Sequence, residues 1–124
     1  MTLRGQRLFV RPIEAADRQA LQAFLAAHGD GAAIPEAGLI GKLVGNLVAV
    51  LSMEMTGDSI RIDDLIVARE MRRKQIGRVM LRELAELAAK MERDWLVVER
   101  AHGREFLRRV GFEERDGAMV KRVR

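Results

Sequence analysis

The chain has 124 residues, 48% of them hydrophobic and 32% charged, and its 22 basic and 18 acidic side chains leave a net charge of +4. That length supports one hydrophobic core and not two, so a single domain over residues 1–124 is expected; the composition excludes disordered and collagen-like chains. Cysteine is absent, which excludes disulfides and thiolate metal sites and fits a reducing cytoplasm, and no apolar run approaches the roughly 20 residues of a membrane span.

RLFVRP, from Arg7 to Pro12, alternates apolar and basic residues and reads as a first strand. From Glu14 onward Leu21, Phe24 and Leu25 recur at helical spacing, predicting one amphipathic helix that ends at His28 and Gly29. His28 would there complement the helix dipole. GDGAAIPEAG follows as a loop too short for a second helix. GLIGKLV and NLVAVLSMEM flank Gly45-Asn46, a pair suited to a tight hairpin, and SIRIDDLIVA after TGDS makes a third strand.

A long helix is predicted from Gln75 to Arg93, with Ile76, Met80, Leu84, Leu87, Ala88 and Met91 on its buried stripe. WLVVE, from Trp95 to Glu99, is continuously apolar after a helix, as a buried strand parallel to the preceding one would be, with Trp95 in the core. HGREFLRRVGF reads as a short helix with Phe106, Leu107 and Val110 inward and Arg104, Arg108 and Arg109 in solvent. EERDGAMVKRV closes the chain as a hairpin turning at Asp116-Gly117. The fold class is mixed α/β: an antiparallel meander with a central parallel strand pair.

The stretch AREMRRKQIGRVMLREL places Arg69, Arg72, Arg73, Lys74 and Arg78 around the start of the long helix. Helix starts favour acidic or hydroxyl side chains, because the first N–H groups lack intrahelical partners and the dipole is positive there. Basic residues at such a start invite an external anion, and backbone N–H groups from Arg73 to Arg78 would converge on it. Gly77 would let the backbone approach that anion closely. Neither a P-loop nor the three-glycine dinucleotide pattern is present.

These residues resemble the GNAT superfamily of acyl-CoA-dependent N-acetyltransferases. Leu65-Ile66-Val67 is similar to the end of the family's cofactor strand, Arg72-Arg73-Lys74-Gln75-Ile76-Gly77 to its cofactor loop, and FLRRVGFEE to its second hallmark, a short helix ending in Gly-Phe. The resemblance implies a GNAT-like fold with helices on both faces and acetyl-CoA as the acetyl donor. It also implies that the backbone of Leu65, Ile66 and Val67 pairs with the pantetheine arm. Arg73, Lys74, Gln75, Ile76, Gly77 and Arg78 would then surround the pyrophosphate, Arg72 and Lys74 would meet phosphates by charge, and the Leu65 N–H would stabilise the oxyanion.

Two departures bear on chemistry. Gln75 stands where the family has its first loop glycine; it tolerates helical but not left-handed dihedrals at low cost, so cofactor binding is expected with Gln75 already helical, and Leu107 replaces the tyrosine that many members use to protonate the leaving thiolate. Asp63 is the candidate base, relaying a proton through water from an ammonium of pKa near 10. IDDL resembles the acidic pair of polyamine acetyltransferases, and strand alternation puts Asp63 on the face of Arg61 and Leu65, with Asp64 opposite. Pairing of Asp63 with a basic neighbour is the competing reading. Glu54 and Glu99 are weaker candidates, and His102 reads as a surface histidine.

The function implied is acetyl transfer from acetyl-CoA to a primary amine on a protein, peptide or small molecule, by direct attack through a tetrahedral intermediate. The alternative is an acyl-CoA-binding regulatory protein of little or no activity acting on a partner protein. A small RNA-binding module would use the basic loop, but five aromatic residues offer few stacking platforms. An exposed edge strand would suit a homodimer.

Overall fold

The computed structural model describes residues 7–72, 75–99 and 103–124, so Arg73, Lys74 and His102 lie outside the described residues. The strands are β1 (Leu8–Pro12), β2 (Gly38–Leu43), β3 (Asn46–Thr56), β4 (Ser59–Val67), β5 (Trp95–Val98), β6 (Glu113–Arg115) and β7 (Ala118–Arg122). The helices are α1 (Arg18–His28), α2 (Ile76–Lys90) and α3 (Arg104–Arg109); short 3-10 turns precede α1 and follow β4. All the strands form one sheet in the order β1-β2-β3-β4-β5-β7-β6. Every neighbouring pair is antiparallel except β4 and β5, which run parallel as the apolar run of β5 and the intervening helix implied.

The helices cover both faces of the sheet. Gly41, opposite Val10, lies against the Met80 sulfur of α2, so that face belongs to α2. The next position, Arg11, points the other way and grips Asp17 at the entrance to α1. Arg11 donates to both Asp17 carboxylate oxygens at 2.8 and 2.7 Å, and the Glu14 N–H donates to Asp17 at 2.7 Å. Those bonds hold the buried Asp17 carboxyl down to about 2 from the ordinary 3.8. One helix only is found between β1 and β2, because Gly29 ends α1 with its N–H on Leu25 O and the chain enters the loop before Gly38.

Several expectations are corrected. The β2–β3 hairpin turns on Val44-Gly45, both left-handed, rather than on Gly45-Asn46. α2 ends at Lys90, so Met91 falls beyond it and is exposed, while Leu81 completes the buried stripe. Trp95 is only half buried, with the Arg115 and Arg122 guanidinium groups 5.1 and 5.4 Å from its ring centre.

Candidate active site

The parallel pair β4–β5 is short. Ser59, Ile60 and Arg61 face Trp95, Leu96 and Val97, and there the pairing stops, although β4 runs on to Val67. The Ala68 N–H reaches across to Val48 O of β3 at 2.8 Å. Alternation along an extended strand therefore turns the Ile66 and Asp64 backbone toward β3, and the Val67 and Leu65 backbone toward the gap. Among the described residues the sheet thus opens beyond Arg61, with no strand paired to that side of β4.

A bulge rotates that edge. Ser52 opposes Asp64 and Met53 opposes Ile62, which leaves Asp63 as the extra residue. The inserted residue reverses the alternation expected from sequence. Leu65 opposes Leu51 on the α2 face, whereas Asp64 and Arg61 oppose Ser52 and Glu54 on the α1 face, so Arg61 and Leu65 lie on opposite faces. Asp63 Oδ1 accepts from Arg61 Nε at 2.8 Å, the pairing with a basic neighbour weighed above. Arg61 also bridges to Glu54, with Glu99 at 3.6 Å, so three carboxylates gather on one guanidinium, whose pKa they raise, Asp63 foremost.

The gap is a cleft of about 870 Å³, within the size range of small-molecule sites. One wall is β4, with Asp63, Asp64, Leu65 and Val67; another is the start of α2, with Arg72, Gln75, Ile76, Gly77 and Arg78; the third is Val98 with Phe106, Leu107 and Arg109 of α3. Ile66 does not line it, being registered against Val50. Arg109, read from sequence as solvated surface, lines the cleft. The helical pattern of α3 could not reveal this, because the cleft is made by the strand gap and not by the helix.

Gln75 is left-handed, with φ 62° and ψ 18°, which overturns the expectation of helical dihedrals there. The first intrahelical bond runs from Val79 N–H to Gln75 O at 3.2 Å, so the N–H groups of Ile76, Gly77 and Arg78 have no helical acceptor, and the Gln75 side chain does not cap them. The loop before this helix is tied back by the Arg69 N–H, which donates to His28 Nδ1 at 3.3 Å. His28 therefore joins the end of α1 to the basic loop across 41 residues of sequence, a contact that no local pattern signals.

The β4 edge at Leu65 and Val67, which pairs with no strand on that side among the described residues, can match amides; the N–H groups of Ile76 to Arg78, which have no intrahelical acceptor, with Arg72 and Arg78 can hold anionic oxygens; and Val98, Phe106 and Leu107 offer apolar contact. Among the described residues no group of side chains could hold a metal ion, and no helix is long and apolar enough to cross a membrane.

A family model described as an acetyltransferase (GNAT) domain matches residues 21–114, and the chain belongs to that family. Its fold is shared with solved N-acetyltransferases. The ribosomal-protein-S18-alanine N-acetyltransferase of Escherichia coli superposes with a TM-score of 0.75 at 14% identity, covering 94% of each chain. The PaiA N-acetyltransferase of Thermoplasma acidophilum, solved with coenzyme A, gives 0.74 at 14% identity over 94% of this chain and 99% of its own. The GNAT family N-acetyltransferase YhbS of Escherichia coli, also solved with CoA, gives 0.72 at 16% identity over 95% and 82%. No curated protein sequence matches the chain.

Proposed function

We propose that this chain transfers the acetyl group of acetyl-CoA to a primary amine, and that the donor lies in the cleft between β4 and β5. The observation that carries the reading is the end of β4–β5 pairing at Arg61 and Val97, which leaves the Leu65 and Val67 backbone facing a cleft closed by the uncapped start of α2. Family membership and the coenzyme A in related structures support the choice of donor. Acetyl-CoA supplies an activated acetyl group as a thioester. Leu65 and Val67 pair with its amide-bearing arm, while the N–H groups of Ile76, Gly77 and Arg78, with the Arg72 and Arg78 side chains, hold its phosphates.

The Leu65 N–H donates to the carbonyl oxygen where negative charge develops as the amine adds. Asp63 receives the ammonium proton through water, and its bond from Arg61 Nε holds the carboxylate in place on the bulge. Leu107 is buried at the α3 wall and supplies no proton, so the departing thiolate, a good leaving group, takes its proton from water. The acceptor side carries α1 alone, which favours an extended amine such as a protein N-terminus or lysine over an enclosed small molecule.

The test is release of CoA thiol from acetyl-CoA, measured with peptides and small amines side by side. Turnover that requires both substrates and prefers peptides is expected. Preference for small amines would refute the open acceptor side, and thiol release independent of any amine would refute amine transfer.

A further inference from the structure

The gap side of β4 holds a contact that the reading above leaves unused. The Leu65 N–H points away from β3, past the last β4–β5 pair, and the acceptor it meets is the carboxylate of its own neighbour: Asp64 Oδ1, at 3.0 Å. Asp64 is exposed, and this is a bond between an ionised acceptor and a backbone donor, stronger than one to a neutral carbonyl. A thioester oxygen bound at the same N–H must displace it. The two cannot share the donor, because the carboxylate charge would oppose the charge that grows on the carbonyl oxygen.

We propose that Asp64 is a positioning residue that caps the Leu65 N–H until the acetyl carbonyl displaces it, and that it returns when the product CoA, which has no carbonyl there, is left behind. The proposal rests on the reading of Leu65 as the carbonyl's donor. Its consequence is specific to the acetyl group. The cap weakens binding of acetyl-CoA and leaves binding of free CoA alone, which narrows the difference between substrate and product. It differs from the part given to Asp63, whose carboxylate accepts from Arg61 while the Leu65 N–H donates to Asp64.

The experiment is calorimetric titration of the full chain and its Asp64→Ala and Asp64→Asn variants with acetyl-CoA and with CoA, alongside the position of the Leu65 amide resonance in each protein. Removing the cap should tighten acetyl-CoA about fivefold in Asp64→Ala, less in Asp64→Asn, with CoA unchanged, as expected for one exposed charge-assisted hydrogen bond. The Leu65 amide resonance should shift between the parent and both variants, which lack the carboxylate acceptor. Equal tightening of both ligands, or of neither, overturns the proposal while the cleft reading stands. No binding of either ligand to any of the proteins overturns both.

Discussion

Gly77 offers a perturbation whose effects on stability and on binding should have opposite signs. It lies in the first turn of α2, and a Cβ built there would meet the Phe106 ring at 3.4 Å and Leu65 Cδ2 at 3.5 Å, ordinary contact distances with no backbone atom in the way. Gly77→Ala should therefore fold without strain. Alanine in place of glycine contributes up to about 1 kcal/mol in a helix interior, and less in a first turn, where fewer bonds depend on the dihedrals. With the new methyl packed on Phe106 and Leu65, a net gain of about 0.5–1 kcal/mol is expected, or roughly 2–4 °C in Tm. The same methyl stands between α2 and the β4 edge, in the part of the cleft assigned to the donor. Crowding a fitted site by one methyl costs about 1–3 kcal/mol, so acetyl-CoA should bind at least about fivefold more weakly. Thermal denaturation and calorimetric titration of the same preparation measure both. A stabilised variant with unchanged acetyl-CoA affinity would show that the donor does not pass between Gly77 and Leu65, and a destabilised one would show that the contact distances do not describe the space.

The Arg11–Asp17 pair should govern acid stability: with the Asp17 carboxyl held at about 2 against 3.8 unfolded, its contribution, about 2 kcal/mol, is complete above pH 5 and lost as the pH falls from near 4 through 2. Asp17→Asn should flatten that acid limb in chemical denaturation series, and a parallel limb in parent and variant would refute the assignment. Gln75→Gly removes a left-handed side chain worth about 1–2 kcal/mol of strain and adds the chain entropy of glycine, so equal or up to about 1 kcal/mol greater stability is expected by denaturant titration; a clear loss would mean that Gln75 is held there by contacts of its own. Asp63→Ala should lower kcat by about 10²-fold with little change in KM for acetyl-CoA, and an unchanged kcat would remove Asp63 from proton transfer.

Much of the fold was legible because its signals are local. The single helix before β2, the parallel β5 and the Asp116-Gly117 turn follow from periodicity and turn chemistry, and all are present. What could not be read was register. IDDLIV has no strict alternation, so nothing in it reveals that Asp63 is the residue left over when Ser52 pairs with Asp64 and Met53 with Ile62; that single insertion moved Leu65 to the face opposite Arg61. The left-handed Gln75 could not be read because such a conformation in a non-glycine residue runs against local preference. Arg109 and His28 acquire their places through tertiary contacts with elements distant in sequence.

The donor site is tested most directly by following backbone amide resonances while acetyl-CoA is added to the full chain. Saturable shifts concentrated at Leu65 and Val67 and at Ile76, Gly77 and Arg78, with the β6–β7 hairpin unmoved, are the expected result. Absence of saturable change at millimolar acetyl-CoA, or shifts centred away from the β4–β5 cleft, would contradict it.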